Sequence, residues 1–394
     1  LVTASFGEVG SGLRYARLSP DGRWVAMGAN EGLLTLSRSD SASDPIVLDQ
    51  GEESAIWGVE FSPQSDRLVS TSTAGTLYVW TIGSSKRPVR LAAPDSSRFY
   101  RLSFSADGSR IAAFYLRLVT DSTTHELVEF TPSREARVFN ADGSGTPLRL
   151  PLSDDELPTE DFGGGGDWLV TTDGKRARVW PIDGASRPAQ VFEFRGVGVS
   201  TATLNPSGSH IAVATTDGHV HVRPTDGRVH VQPMAGQVPG RSVAGQEPGQ
   251  STAGRGRGLQ LTEHSDSVVA IAWSPDGHLL ATFGLDATRI WDAESGRRIT
   301  RLERDGETLV GGAFSPDGSA LIARSRYGYD AIVWRWDEDG KATPTVLAGH
   351  ADLLETVGFT PDGVRAFTAS RDGTAREWVY NPWVRGASIY DFDS

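Results

Sequence analysis

Three histidines crowd one short stretch of this chain: His219, His221 and His230. His219 and His221 stand two apart, so on a strand they point the same way, and a duplicated strand paired alongside could bring His230 near. Three imidazoles at that density suit zinc. The plainer reading is that a local duplication copied them onto a wet edge, and no metal is expected. Two further histidines, His264 and His350, each have Thr and Asp residues downstream, a set that resembles the parts of a catalytic triad. No Ser lies in a G-x-S-x-G turn that would expose a nucleophile, so acyl transfer is not expected. Asp154, Asp155, Glu156, Glu160 and Asp161 form an acidic cluster without the spacing of a calcium loop, and read as a solvated loop. Gly163 to Gly166 lacks the Lys-Ser/Thr that makes a glycine run a phosphate loop. There is no Cys, which removes disulfides, thiol catalysis and thiolate metal sites.

The elements that would position these residues follow from an internal repeat. A hydrophobic residue followed by a turn of the Ser-Pro-Asp-Gly type begins at Leu18, Phe61, Phe104, Phe162, Leu204, Trp273, Phe314 and Phe359, at spacings of 43, 43, 58, 42, 69, 41 and 45 residues. A period just above ~40 marks a radial β repeat. In the last copy Leu354 to Phe359, Arg365 to Ser370 and Thr374 to Trp378 read as strands, separated by Thr360-Pro-Asp-Gly363 and Arg371-Asp-Gly373. The sixth runs the same way through Val268 to Trp273, Leu279 to Thr282 and Thr288 to Trp291, with a fourth strand at Arg298 to Leu302. Of the 394 residues 38% are hydrophobic, and 11 Trp, 45 Gly and 21 Pro suit short strands joined by tight turns.

Trp291-Asp292, Trp336-Asp337, Gly349-His350 and Asp372-Gly373 resemble the signature of the WD-repeat family of β-propellers. The resemblance implies a hydrogen-bonded tetrad in each regular blade, with a structural and not a catalytic role: His350, Thr368, Asp372 and Trp378 in the eighth copy, and His264, Thr282, Asp286 and Trp291 in the sixth. Each member supplies the donor or acceptor that the next lacks. The second copy has Ala74 at the Asp position, the fifth has Arg223 at the Trp position, and the fourth replaces the turn by Phe162-Gly-Gly-Gly-Gly166. The expected fold is all-β: a single eight-bladed propeller of four-stranded antiparallel blades over residues 1–394, or seven blades plus a degenerate fourth unit. Residues 1–7 are expected to close the last blade, which leaves 381–394 as a tail. The long spacings place a hairpin insertion at 117–133, tipped by Asp121-Ser-Thr-Thr124, and a flexible, low-complexity insertion at 225–258. Within the latter, Thr216 to Pro224 is copied as Thr225 to Pro233, and Ala235 to Val243 as Ala244 to Thr252.

Such propellers serve as scaffolds, so the resemblance implies a non-catalytic module that binds a protein or peptide through the loops before each first strand and between second and third strands. Phe99, Tyr100, Arg326, Tyr327, Tyr329 and Arg371 are the candidate anchors there, because exposed aromatics and Arg dominate binding energy. Propellers of this type in bacteria often follow a kinase, protease or signalling-NTPase effector as sensor or assembly modules. A first residue other than Met fits that arrangement, with an N-terminal effector or signalling domain fused ahead of Leu1. A net charge of −12 disfavours nucleic acid and suits a partner with basic patches. No apolar run approaches the ~18 residues of a membrane span, and a cytoplasmic location without cofactor is expected. The alternative is a propeller enzyme, a quinone-dependent dehydrogenase or a lactonase-like hydrolase with a metal in its channel. Only Asp292 to Gly296 is similar to the Trp-docking motif of the former.

Overall fold

The structure, a computed structural model, describes residues 2–379 apart from 7–12, 40–43, 52–53, 93–96, 106, 121–126, 133–134, 153–159, 164–167, 183–187, 189, 195, 226–229, 235–257, 305–306 and 373. Its sheets are eight, one per repeat, so the fold is the eight-bladed all-β propeller and the fourth copy counts as a full blade. Each blade has four core strands, here a to d in sheet order. Blade 5, for example, runs through Val199–Leu204, His210–Thr215, Val220–Pro224 and Leu259–Leu261. The a strands of neighbouring blades pack against one another around a complete circuit, so they line a central channel. Among the described residues no helix is long and apolar enough to cross a membrane.

The repeated turn between strands a and b explains its own sequence. In blade 1 the Ser19 hydroxyl donates to Asp21 (2.6 Å) and accepts the amide of Trp24 (2.9 Å). Gly22 sits at φ 71°, the left-handed region that favours glycine. Ser105, Ser274, Ser315 and Thr360 repeat the arrangement, each with its Asp two residues on. Turn geometry of this kind fixes strand register, so one motif sets which side chains face each neighbouring blade.

The core is divided among the spaces between blades. Eight buried apolar clusters are formed by the described residues, each drawn from two adjacent blades. Blades 1 and 2, for instance, share Leu34, Leu36, Ile56, Phe61, Leu68 and Trp80. In the last blade, Leu354–Phe359, Arg365–Ser370 and Ala375–Val379 are followed outward by Val2–Phe6, which pairs antiparallel with Ala375–Val379.

The two long spacings have different outcomes. In blade 3 strand b runs on to Thr120 and pairs with Leu127–Pro132, a hairpin beyond the blade; its expected tip, Asp121 to Thr124, lies outside the described residues. Within 225–258, expected as an irregular loop, His230–Met234 is a strand. It lies parallel to the outermost strand of blade 4, Gln190–Phe194, as a fifth member of that sheet. Residues 235–257 and the expected tail, 381–394, are not among those described.

Deleting residues 1–7 leaves the outer edge of Ala375–Val379 unpaired. The expected result is a melting temperature lower by at least ~5 °C, read by calorimetry against the full chain.

Candidate functional site

The framework of the site is a set of buried side-chain chains. In blade 8 the Trp378 indole donates to Thr368 Oγ1 (2.7 Å), the Thr368 hydroxyl meets His350 Nε2 (2.8 Å), and His350 Nδ1 meets Asp372 Oδ2 (2.9 Å). Asp372 also accepts the amide of Ala351 (2.9 Å), which anchors the loop entering strand a. Blade 6 repeats this through Trp291, Thr282, His264 and Asp286 at 2.8, 2.7 and 2.7 Å. There Arg289 Nη2 braces the carboxylate from the other side, 2.9 Å from Asp286 Oδ2. Gly284 sits against this group; a Cβ on it would lie 2.2 Å from His264 Nδ1. Each hydroxyl accepts from an indole and keeps its own proton to give to the imidazole Nε2, which in blade 8 leaves Nδ1 as the N–H facing Asp372. In blade 6 the Arg289 Nη1 donor also lies 2.6 Å from His264 Nδ1. Both settings suit a neutral ring.

The electrostatics agree. Burial is the largest influence on both imidazoles and pushes their pKa down, with only partial compensation from Asp286 and Asp372. Burial alone would raise Asp372, but the Ala351 amide, the Thr374 hydroxyl and His350 outweigh it and hold the carboxyl down to about 2. Asp286 is likewise held well below the carboxylate range by Arg289, His264 and the Ser265 amide, against its burial. Each histidine is engaged with a Thr that already accepts from Trp, so the arrangement ties strands b and c to the loop entering strand a.

The indole-to-hydroxyl bond recurs in blade 4, Trp180 to Thr171 (2.8 Å), and in blade 2, Trp80 to Ser70 (3.0 Å). It is therefore present in blades 2, 4, 6 and 8. The matching strand c positions of blades 1, 3 and 5, opposite Val25, Ile111 and Ile211, are Ser37, Phe139 and Arg223. Blade 7 has its indole, Trp334, but Ala323 stands where the hydroxyl should be, and the buried Nε1 finds no acceptor among the described residues.

Seven of the eight a strands carry a register shift near their start: after Leu13, Ile56, Phe99, Val199, Val268, Leu309 and Leu354. A bulge re-aims the extra side chain. Since strand a starts where strand b ends, the bulges share a face with the b–c loops. Among the bulge residues Val269 is 38% exposed, while Trp57, Ser200 and Glu355 are half-buried. The sequence reading missed Trp57, Val269 and Glu355. Their signal is a fixed offset, four residues before the hydrophobic residue of each a–b turn.

On that face the b–c loop of blade 7 presents Tyr327 at 76% and Tyr329 at 47% exposure, with the Arg326 guanidinium 5.2 Å above the Tyr327 ring. Arg371, on the b–c loop of blade 8, is exposed and paired through Nε with Glu355. Between them Arg324 bonds the carbonyl of Leu354 (3.4 Å); burial lowers its pKa, and Arg17 and Arg371 add to that against Glu355. Deeper in the channel Arg17 pairs with Glu60 at 3.3 Å.

Phe99 is a correction. It is fully buried and packs edge-on against Tyr115 and Phe139 at 6.3 and 6.2 Å, because the residue before the bulge faces the space between blades 2 and 3. The side chain of Tyr100 lies outside what the structure describes. The His219 and His221 rings meet edge-on, with centroids 6.4 Å apart, but their surroundings differ. His219 Nδ1 pairs with Asp217 at 3.0 Å, whereas His221 is buried against Phe194 at 4.9 Å and burial takes its pKa down to about 3. The side chain of His230 is not described, and the described residues hold no group of three potential metal ligands. Of the acidic cluster, Asp154, Asp155 and Glu156 lie outside the described residues.

Comparison with known proteins agrees with this geometry. The family model "WD domain, G-beta repeat" matches residues 45–81, 257–292 and 342–378. Each match runs from the outer strand of one blade through strands a to c of the next, ending at blades 2, 6 and 8. The chain is 31% identical over 132 residues to the B-type cell cycle switch protein ccs52B of Medicago truncatula, which spans 32% of this chain and 26% of that protein. It is 30% identical over 116 residues to the transcriptional corepressor LEUNIG_HOMOLOG of Arabidopsis thaliana, 29% of this chain and 14% of that one. Human Coronin-7 is 32% identical over 133 residues, 32% of this chain and 14% of its own length. Among solved structures, a chain of the "Crystal Structure of Mitotic Checkpoint Complex" superposes with a TM-score of 0.56 at 17% identity, covering 82% of this chain and 90% of that one. The Cps50 (Swd1) β-propeller domain of Myceliophteria thermophila gives a TM-score of 0.56 at 12% identity, covering 96% and 100%. At those identities the likeness speaks for the fold alone.

Two outcomes follow. The unfolded chain takes up protons on histidine below pH ~6.5, while His264 and His350 resist them in the fold, so stability falls as pH drops through that value; Asp372 subtracts again between its ordinary carboxylate range and about 2. Urea titrations at two pH values spanning the histidine range should show a wild-type loss, at most ~1.4 kcal/mol per pH unit per histidine, that is smaller in His350→Gln. Separately, Ala323→Ser gives Trp334 its acceptor and should raise stability by up to ~1 kcal/mol in the same assay.

Proposed function

We propose that this propeller is a non-catalytic scaffold that holds a protein or peptide on the face carrying the strand a bulges and the b–c loops. The observation that carries this is the pair Tyr327 and Tyr329. Aromatic side chains elsewhere in the blades are largely committed to the interblade cores, yet these two stand in solvent on one short loop, one of them under a guanidinium. Rigid aromatics and Arg give large contact area at low entropic cost, which is the make-up of binding hot spots. The three segments that match the WD-domain model support the same reading, as do the similarities to a cell cycle switch protein and a transcriptional corepressor.

The chemistry of this face favours a partner segment that brings a carboxylate. Net charge of −12 argued for basic partners, but Arg324 and Arg326 stand just before the tyrosines, with Asp330 after them, and Arg324 hydrogen-bonds a carbonyl while Glu355 acts on it only through its charge. A partner acid entering between blades 7 and 8 would meet Arg324 in a partly desolvated setting, where charge-assisted bonds are strong. A finer role, as sensor or assembly module fused behind an effector domain of a bacterial signalling protein, rests on the sequence resemblance; the matched relatives reported above are from plants and human.

The test is affinity capture with wild-type protein and with Tyr327→Ala/Tyr329→Ala from the same native lysate, followed by titration of the captured partner. Both side chains are already in solvent, so the variant should keep its melting temperature while its Kd rises by about tenfold or more. Equal binding by both proteins would show that this face is not the one used.

A further inference from the structure

Blade 5 contains its third strand twice in sequence. Thr216-Asp-Gly-His-Val-His-Val-Arg-Pro224 is followed at once by Thr225-Asp-Gly-Arg-Val-His-Val-Gln-Pro233, and the copies differ only at His219/Arg228 and Arg223/Gln232. In the structure the first copy fills the slot. Val220–Pro224 lies between His210–Thr215 and Leu259–Leu261, with Val220 opposite Ala214 and Leu261, and Val222 opposite Ala212 and Leu259. The slot reads three side chains closely. Val220 and Val222 are buried in the cluster shared with Val268, Leu280 and Trp291, and His221 is buried on the other side against Phe194. The second copy supplies all three at the same spacing, as Val229, His230 and Val231. Its residues His230–Met234 rest outside the ring, on the edge of blade 4.

We propose that blade 5 has two registers, in which the strand c slot is filled by Val220–Pro224 or, after a nine-residue slip, by Val229–Pro233. The two states place the same residue types, Val-His-Val, in the slot: Val220, His221 and Val222 or Val229, His230 and Val231. Where they differ, the differences are small and partly opposed. The first register keeps the short b–c turn, in which Thr215 donates to Asp217 (2.6 Å) and the Thr215 amide bonds the carbonyl of His219 (2.9 Å). It also keeps Arg223 Nη1 on the carbonyl of Leu259 (3.3 Å), a bond that a Gln at that place can remake. The slip releases the strand on blade 4 and moves nine residues from the c–d connection to the b–c loop. Loop-closure entropy depends only weakly on length, so neither connection forbids it. The c–d side retains 234–258, ample to reach Leu259. The consequence is a change of surface: residues 216–224, with His219 and His221, would emerge as an enlarged loop on the bulge face.

Stability measurements on the full chain decide this without knowledge of any partner. Val222→Asp, Val231→Asp and the double variant are melted beside wild type. With two registers, either Asp alone is tolerated because the other copy takes the slot, and each single variant melts within about 5 °C of wild type. The double variant has no acceptable strand and falls by about 10 °C or more. If Val222→Asp alone falls as far as the double, the second copy cannot serve and the proposal fails. A double variant that melts with wild type overturns it as well, since the slot would then not require valine.

Discussion

The placement of the hydrophobic core between blades, and not within them, is the constraint on which the rest of the molecule depends. A single four-stranded blade has two apolar faces and no interior. Each becomes stable only when both faces are covered by neighbours, as Val25 and Met27 of blade 1 are by Phe367 and Ala369 of blade 8. Burial of this kind gives its full stabilisation only when the circuit is complete. That is why the last blade takes its outer strand from the other end of the chain: the bond between Val2–Phe6 and Ala375–Val379 turns a row into a ring.

Ring closure separates two tasks. The space between blades is committed to packing, so specificity must come from the ends of the strands. On one end the serine–aspartate turns repeat with little variety, holding register. On the other the His–Asp pairs of blades 6 and 8 tie the entering loop to the b–c turn, and in seven blades a bulge just inside re-aims the side chains at the start of strand a. Trp57, Val269, Glu355, Tyr327, Tyr329 and Arg371 therefore share a rigid platform while owing almost nothing to the core. Side chains there can vary without disturbing the fold beneath them.

The same division explains what could be read from sequence. The turn motif is local chemistry that acts where it is written, so its eight copies gave the number of blades, including the fourth, whose glycine run hides the motif but whose Trp168–Thr172 and Arg176–Pro181 pair in register. The candidate face was harder, because exposure depends on a bulge that composition does not reveal. Phe99 and Trp57 illustrate this: one precedes a bulge and is buried, the other is the bulge residue itself and is half-buried. Strand alternation put His219 and His221 side by side, as their edge-on rings are, but it could not show that one pairs with Asp217 while the other is buried against Phe194.

The indole-to-hydroxyl bond is present in blades 2, 4, 6 and 8 and absent from the four between. Both long insertions, the hairpin of blade 3 and the duplicated stretch of blade 5, fall in blades without it. A polar lock couples strands b and c through side chains, so an inserted segment near those strands would strand a buried donor; where packing alone joins them, extra chain is absorbed at the surface. Of the four blades without the lock, blades 3 and 5 have taken up extra chain, while blades 1 and 7 have not. Change in length, and with it the raw material for new loops, has a place to accumulate that does not endanger the ring.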